Sequence, residues 1–399
     1  MKDEKLNKKL EKYLRKGKYK KYRKLKYKCG EYYNILSYIT DFKFSFDEKP
    51  FTDADSLVLC QLAYTDLSDF KGKKLSEVAA NVTDSKKVAP YCHDDCMRVI
   101  NALSKSERLG EIVVLDAREK LSKEEDCQYG VTLFDCGKFL YMACRGTDDH
   151  MIGWLEDVDL IILPELRSHT LTIEALNEYG KLYEKPFIVG GHSKGGNMAL
   201  YSSAFCEPSV RDRIIKVYDH DGPGLLPSTF EKDGMKKIID RVDKICPELS
   251  IFGMIMHEGT PYRVIYSHSR NIYQHYILNW QIEKDDGSFV KAEINDRVSR
   301  VVRIVIEIVL PTMTEEDRVR FRTYTATILD LAGIFVLDDF SFGKILKLIE
   351  KMFEQPWKEQ KFMWQILGKV LKAIPKAEKA AKKEKKEYKK SDEELRKAK

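Results

Sequence analysis

A serine with a glycine two positions to either side stands between two apolar stretches of different pattern. Residues 191–195 read Gly-His-Ser-Lys-Gly, which fits the G-x-S-x-G pattern of a nucleophile elbow. Residues 187–190 before it are typical of a buried strand, and residues 197–205 after it are typical of a helix. A sharp turn between the two would lift the Ser193 hydroxyl clear of the sheet, beside free helix N–H groups that favour a developing negative charge. Because the glycines leave room for that turn, the pattern predicts Ser193 as a nucleophile.

A nucleophilic serine needs an imidazole to take its proton and a carboxylate to orient that imidazole. His275 lies on a predicted loop after the strand-like residues 262–267, and it is our candidate for the base. The candidate acid is Asp221, which directly follows the strand-like residues 214–220, and Glu248 is the alternative acid. The order serine, acid, histidine along the chain is the α/β-hydrolase order. Of the other histidines, His192 lies inside the elbow, where a packing role is usual, and His220 directly precedes the candidate acid. His257 and His268 remain candidates for the base.

Three strand-like runs precede the elbow, at residues 111–118, 129–135 and 138–144, and Cys136-Gly137 predicts a tight turn between the last two. Thr147 lies on the loop after the third run, where an α/β-hydrolase places an oxyanion-hole donor. Its backbone N–H and its hydroxyl both suit that role. An ordinary capped turn is the alternative interpretation of the same residues.

Beyond residue 290 the pattern becomes helical. A valine-rich stripe over residues 298–309 ends at Pro311, and a second helix is predicted to begin after Thr314. We expect both helices to cover the preceding domain. The chain is therefore divided into a basic arm (1–30), a main domain (31–290), a helical extension or cap (291–375) and a charged tail (376–399).

The cysteines and the N-terminus bear on the compartment. Nine cysteines are an odd number without framework spacing, and the first ten residues contain no apolar signal core. We therefore expect a reduced, cytoplasmic protein. Residues 92–96 read Cys-His-Asp-Asp-Cys, but no second ligand pair follows at a suitable spacing, so we expect a structural or solvent-exposed role for them. Chemistry by a serine, a histidine and a carboxylate needs no metal or organic cofactor, and we expect none.

Basic segments lie at both ends of the chain, which has a formal net charge of only +6. Residues 1–28 carry fourteen basic and three acidic residues, and such an arm can contact RNA, anionic lipid or another acidic surface, or remain a solvated tail. Residues 361–374 combine apolar positions with lysines, a pattern that suits a helix on an anionic membrane surface or a helix docked on the protein. We expect peripheral contact with the inner membrane surface and do not expect nucleic acid as a partner.

Several motifs together resemble a known group of enzymes. Arg145-Gly146-Thr147, followed by Trp154 and Asp157, and the elbow extended by Gly196 resemble the class 3 lipase group of α/β-hydrolases. The chain looks closer still to an uncharacterised bacterial branch, the Mbeg-like domain-of-unknown-function family, over residues 31–340. The shared segments are Phe51 with Asp55-Ser56-Leu57 and Gln61-Leu62-Ala63-Tyr64, the elbow, Asp221-Gly222-Pro223-Gly224, Ser250-Ile251-Phe252-Gly253-Met254 and Gln274-His275.

The resemblance implies an α/β-hydrolase fold with a mostly parallel sheet flanked by helices. It implies Ser193 as nucleophile, His275 as base, and Thr147 with the backbone N–H of Lys194 as oxyanion donors. It leaves the acid open, since class 3 lipases place it where Glu248 stands and some other lipases where Asp221 stands. The expected activity is hydrolysis of carboxylic esters, with lipid or lysophospholipid acyl esters as the expected substrates. A membrane- or RNA-associated adaptor on an inactive hydrolase scaffold is one alternative, and an acyltransferase or thioesterase is another.

One residue departs from the lipase pattern. Lipases usually carry an apolar residue after the nucleophile, whereas this chain carries Lys194. We expect its ammonium to lie near the mouth of the site and to pair with an acidic group, either on the substrate or on a protein side chain.

Overall fold

A seven-stranded sheet organises the described part of the chain, and its strands lie side by side in the order in which they occur in the sequence. The computed structural model describes residues 33–82, 93–148, 150–256, 260–269, 271–292, 297–335 and 342–397. The strands are β1 (Val113–Ser122), β2 (Cys127–Asp135), β3 (Leu140–Cys144), β4 (Phe187–His192), β5 (Ile214–His220), β6 (Val242–Pro247) and β7 (Tyr262–Ile265).

Strand direction divides the sheet into two parts. β1, β2 and β3 form an antiparallel meander, and β3 to β7 are parallel to one another. The turn between β2 and β3 contains Gly137 at φ 83°, a conformation that glycine adopts without strain. Because parallel strands end at the same edge, the residues that follow β3, β4, β5 and β6 are brought together there. The predicted mostly parallel sheet is therefore confirmed.

Helices cover both faces of the sheet in the main domain. In chain order they are α1 (Ile35–Asp41), α2 (Asp53–Leu62), α3 (Leu75–Asn81), α4 (His93–Leu103), α5 (Met151–Ile162), α6 (Arg167–Leu182), α7 (Lys194–Phe205), α8 (Pro208–Arg211), α9 (Pro227–Phe230) and α10 (Asp233–Ile238). Successive strand residues point to opposite faces, so Tyr141 joins a core with α1 to α4 while Met142 joins one with α6, α7 and α10. We call residues 33–292 the sheet domain.

The predicted helix after Phe51 is α2, and its start follows from local chemistry. The Thr52 hydroxyl accepts a hydrogen bond from the Asp55 N–H, and the Asp55 carboxylate accepts one from the Thr52 N–H, which together form a capping box. Asp55 is also paired with the buried guanidinium of Arg108 at 2.7 Å. The pair ties α2 to the segment that leads into β1.

In the described residues beyond position 292, four helices follow the sheet domain. They are α11 (Arg297–Val309), α12 (Glu315–Ala332), α13 (Phe342–Glu354) and α14 (Trp357–Lys397). The valine-rich stripe of α11 was expected to cover the sheet domain. In the structure it packs mainly against Ala377 and Ala381 of α14. Small alanines let the two helices approach closely, so this pair buries its own apolar surface. The expected contact with the sheet domain is made instead by α12, where Arg322 pairs with Asp159 of α5 at 3.3 Å.

The predicted boundary between residues 375 and 376 is not a break in secondary structure. α14 continues through Pro375 to Lys397 as one helix. Along the part of the chain that the structure describes, no helix is long and apolar enough to cross a membrane. The basic arm 1–28, Cys92 and His257 lie outside the described residues.

Candidate active site

Ser193 stands at the strand-to-helix turn between β4 and α7. Its backbone has φ 59° and ψ −132°, a strained conformation for a residue other than glycine. A Cβ at Gly191 would overlap the backbone of Gly195, and one at Gly195 would overlap the backbone of Cys144, which explains both glycines. Ser193 is partly exposed, whereas the other residues from 191 to 200 are buried. The turn therefore presents one hydroxyl and hides its neighbours.

His275 and Asp221 are hydrogen bonded. The distance from His275 Nδ1 to Asp221 Oδ2 is 2.7 Å, and the carboxylate is fully buried. Asp221 also has a positive φ of 57°, and its second carboxylate oxygen accepts a hydrogen bond from the Ser250 hydroxyl. Since Nδ1 is engaged by Asp221, Nε2 is the nitrogen that His275 has left for a serine hydroxyl.

The loop that carries His275 is fixed against the elbow by the residue before the serine. His192 Nε2 lies 2.9 Å from the His275 carbonyl oxygen, and the two rings are 4.4 Å apart between centroids. Burial lowers the pKa of His192 well below its usual value, so the ring is neutral. Because a carbonyl only accepts, Nε2 carries the proton, and Nδ1 accepts from the Tyr64 hydroxyl at 3.2 Å. His192 thus acts as a support, and His275 keeps a fixed position.

The loop after β3 lies directly on the elbow. A Cβ at Gly146 would meet the Ser193 Cβ at 3.1 Å. The Thr147 hydroxyl donates to Asp157 Oδ2 at 2.8 Å, so the hydroxyl is engaged within the protein. Burial raises the pKa of Asp157 to about 6. The N–H of Lys194 is the first of α7, and first-turn N–H groups have no acceptor within their own helix.

Comparison with known proteins places the chain in a family. A sequence profile described as Mbeg1-like matches residues 103–324, more than half of the chain. The chain belongs to the Mbeg1-like family. No curated protein matches the sequence.

Several solved structures of fungal lipases are similar to this Mbeg1-like chain. Lipase II from Rhizopus niveus is 15% identical with a TM-score of 0.35, and the match covers 61% of this chain and 84% of that one. Another fungal lipase crystal structure is 16% identical with a TM-score of 0.34, covering 60% and 84%. A fungal lipase–inhibitor complex is 14% identical with a TM-score of 0.31, covering 53% and 76%. At such values the likeness assigns no activity, and the α/β-hydrolase fold rests on the observed sheet order, parallel strands and elbow.

The other described candidates for acid and base in the Mbeg1-like chain make different contacts. Glu248 follows β6, is buried, and donates its backbone N–H to the Ile265 carbonyl at 3.1 Å. His220 Nε2 is bonded to the Ser56 hydroxyl at 2.8 Å inside the core, where burial lowers the pKa of His220 to about 3. The backbone N–H of His268 donates to the Asn279 carbonyl at 2.6 Å. His275, in contrast, is bonded to the Asp221 carboxylate and lies against His192 of the elbow.

Lys194 does not lie at the mouth of the site, so the expected position of its ammonium was wrong. Its side chain is buried, and Nζ donates to Glu156 Oε2 at 2.5 Å, Gln128 Oε1 at 2.7 Å and the Gln128 carbonyl at 2.9 Å. The side chain turns away from the serine towards α5 and β2, where a buried ammonium needs a counter-charge. The second alternative, a protein carboxylate as partner, is the observed one.

Sequence reasoning missed the partners of these groups. Glu156 and Gln128 lie 38 and 66 residues from Lys194 in the chain, and no spacing rule connects them. Ser250, which donates to the acid, occurs in one of the family segments, but serines are too common for a single one to be singled out. The only indication in the sequence that this position matters is that residues 250–254 are one of the segments shared with the family.

Proposed function

We propose that this Mbeg1-like protein is a serine hydrolase that cleaves carboxylic esters through an acyl-enzyme. The observation that supports this most is the 2.7 Å hydrogen bond from His275 to the buried Asp221, next to a serine held at positive φ. Strained backbone at two of these three residues is the kind of distortion that active sites retain for function. The proposed roles are Ser193 as nucleophile, His275 as base and Asp221 as acid.

Acylation begins when the Ser193 hydroxyl attacks the ester carbonyl. His275 Nε2 takes the hydroxyl proton, and the imidazolium that forms is stabilised by the Asp221 carboxylate at Nδ1. Ser250 and the backbone hold that carboxylate in place, since the Asp221 N–H donates to the Ile245 carbonyl at 2.8 Å. His275 then returns the proton to the alkoxide leaving group, and the alcohol departs.

The tetrahedral intermediate carries its negative charge on the former carbonyl oxygen. The backbone N–H groups of Lys194 and Thr147 are the proposed donors to that oxygen. Two side-chain hydrogen bonds hold these two residues in position: Thr147 donates to Asp157, and Lys194 donates to Glu156. Preorganised donors of this kind are worth about 3–4 kcal/mol each in the transition state of acyl transfer.

Deacylation repeats the same chemistry with water. His275 takes a proton from water, the hydroxide oxygen attacks the acyl carbonyl, and the Ser193 oxygen leaves as it regains the proton. The products are a carboxylic acid and the free enzyme. If an alcohol or an amine replaces water, the same site becomes an acyltransferase, and a thioester substrate makes it a thioesterase.

The motifs shared with class 3 lipases favour lipid or lysophospholipid acyl esters as the substrate class. Fluorophosphonate labelling of the full-length protein tests the nucleophile, with Ser193→Ala as the matched control. Nitrophenyl esters of increasing chain length, together with an acyl thioester, then test the reaction and the acyl pocket. Labelling that disappears in Ser193→Ala, with ester turnover, is the expected result. A folded wild type that neither labels nor turns over esters or thioesters overturns the proposal and favours an adaptor on an inactive hydrolase scaffold.

A further inference from the structure

Large apolar side chains are concentrated on the solvent side of α13 and α14. Among the described residues, nine of the eighteen large hydrophobic side chains that are exposed lie between positions 345 and 374. On α13, Ile345, Ile349 and Phe353 follow at steps of four residues and therefore lie on one face. Phe353 is 61% exposed, although phenylalanine is among the residue types that are most often buried. Such a concentration marks an interaction surface.

The exposed residues of α14 continue this face. Trp357 is 71% exposed, Trp364 55% and Leu371 58%, and they are spaced seven residues apart along the helix. The two helices line one apolar cleft together, with Phe353 from α13 and Trp364 and Leu367 from α14. We call the exposed apolar side chains of residues 345–353 and 357–374 the apolar surface.

The opposite face of α14 is fixed to the rest of the protein. Phe362 and Ile366 are buried, and the Arg320 guanidinium lies 4.4 Å from the centroid of the Phe362 ring. Arg320 also pairs with Glu359 at 2.8 Å. The inner side of α14 is packed against the protein. The exposure of the apolar surface therefore does not result from a detached helix. This surface is the outer side of two helices that both contact α12, since the Tyr324 hydroxyl of α12 also donates to the Met352 carbonyl of α13 at 3.3 Å.

The charges around the apolar surface are basic. Residues 342–376 contain eight lysines, three glutamates and no aspartate. The glutamates are engaged within the protein: Lys351 pairs with Glu350 at 3.8 Å and with Glu354 at 2.6 Å, and Glu359 is the partner of Arg320. Exposed lysines at 347, 358, 361, 372 and 376 therefore give the face a positive charge.

We propose that α13 and α14 bind the protein to an anionic membrane surface, with the apolar surface in the boundary between head groups and acyl chains. Apolar area and basic charge together drive such binding, and tryptophan is favoured at that depth because its ring is apolar and its N–H is polar. A second copy of the chain is the weaker occupant. A symmetric dimer through this face would bring like charges together, whereas anionic head groups neutralise them. The proposal does not depend on Ser193 or on hydrolysis.

Tryptophan fluorescence of the full-length protein tests the proposal, because the chain has four tryptophans. Trp280 is fully buried, whereas Trp357 is 71% exposed and Trp364 is 55% exposed. Vesicles of phosphatidylcholine with phosphatidylglycerol should shift the emission to the blue, and phosphatidylcholine alone should do so far less. Lipids brominated on the acyl chain should quench the emission. Added salt should weaken the binding, since it screens the lysines.

Two sets of variants locate the contact. Trp357→Phe with Trp364→Phe keeps the surface apolar, so co-flotation with vesicles should remain while quenching is lost. Trp364→Gln with Leu367→Gln and Leu371→Gln should lower the partition coefficient by at least about tenfold, because it removes buried apolar area. Leu182→Gln with Ile215→Gln is the matched control: both residues are exposed, at 68% and 54%, but lie on the sheet domain.

Three outcomes overturn the proposal. Vesicle binding without any quenching would place the contact elsewhere, with the basic arm 1–28 as the first alternative. Equal binding by the glutamine variant and its control would show that the apolar surface is not used. The third outcome is a dimer in solution that does not bind vesicles and that the same glutamine substitutions dissociate into monomers. It would assign the apolar surface to a second copy of the chain.

Discussion

In the sheet domain the charged groups near the site are buried and paired, whereas on α13 and α14 large apolar side chains face solvent. Lys194 with Glu156, and Lys244 with Asp219, are ion pairs whose side chains are almost wholly inaccessible. Leu371 of α14, in contrast, is 58% exposed. The two regions therefore serve different ends. The sheet domain holds a few polar groups in fixed positions, and the C-terminal helices present a surface.

This difference makes the expected cost of substitution unequal. A buried charge that loses its partner is left in a medium that cannot solvate it, so changes in the sheet domain should be large. An exposed apolar side chain has little to lose in the folded protein alone. The predictions below follow that order.

Asp221→Asn should have the largest effect on activity. An asparagine can hold His275 in the wrong tautomer, so kcat should fall by about 10⁴-fold. Glu248→Gln, at the alternative position, should cost less than about tenfold. Steady-state turnover of a nitrophenyl ester measures both, and urea unfolding checks that each variant is folded. A larger loss in Glu248→Gln would reassign the acid and break the proposed site.

Asp219→Ala should be the most destabilising change although it lies only two residues from Asp221. It leaves the buried Lys244 ammonium and the Gly222 N–H without their carboxylate acceptor. The free energy of unfolding should fall by about 5 kcal/mol, the upper end of the range for breaking a buried pair. Urea unfolding measures the loss. Asp219→Ala with Lys244→Met should recover much of it, and no recovery would contradict the pairing.

Lys194→Met should cost about 3 kcal/mol of unfolding free energy, because Glu156 keeps the hydrogen bond from the Gln128 N–H but loses its counter-charge. Adding Glu156→Gln should restore most of the stability. Turnover should fall equally for neutral and for anionic esters, since the ammonium does not reach the substrate.

The exposed pair Lys181 with Glu207, at 65% and 44% exposure, gives the control for Lys194. Lys181→Met should change the unfolding free energy by less than about 1 kcal/mol. A selective loss on anionic esters in Lys194→Met would contradict the buried position of the lysine.

The raised pKa of Asp157 predicts a pH effect on stability. Its pKa is about 6 in the folded protein against 3.8 as the ordinary value, so folding favours the protonated form. The stabilisation from that preference is fully present below about pH 4 and is lost as the pH rises through about 6. Asp157→Asn lacks this titration, so its stability relative to wild type should increase between those values. Urea unfolding at several pH values tests it, and a parallel dependence in both proteins would contradict it.

Leu371→Gln should have the smallest effect on the isolated protein. The change in unfolding free energy should lie within about 0.5 kcal/mol, because the side chain is mostly in water already. Turnover of a soluble ester should remain that of the wild type. A loss of several kcal/mol in urea unfolding would show that the apolar surface is packed and would remove the contrast between the two regions.

The sequence by itself predicted the features that depend on local pattern. The motifs that resemble class 3 lipases implied the mostly parallel sheet. The spacing of Gly191 and Gly195 about Ser193 indicated the elbow, because only glycine fits a backbone approach that close. Chain order reduced the base and acid to a few candidates. These patterns involve residues that are close together in the sequence. They can therefore be recognised without any knowledge of distant contacts.

Tertiary structure alone decided which distant groups meet. Asp221 and Glu248 both follow parallel strands, and only the path of the loop 271–275 places His275 against Asp221. Lys194 looked like a residue of the site mouth, yet its side chain turns inward to Glu156. The stripe of α11 packs on α14, since an apolar stripe specifies that it must be covered but not by what. Pairings between residues far apart in the chain depend on three-dimensional packing, which no local spacing encodes.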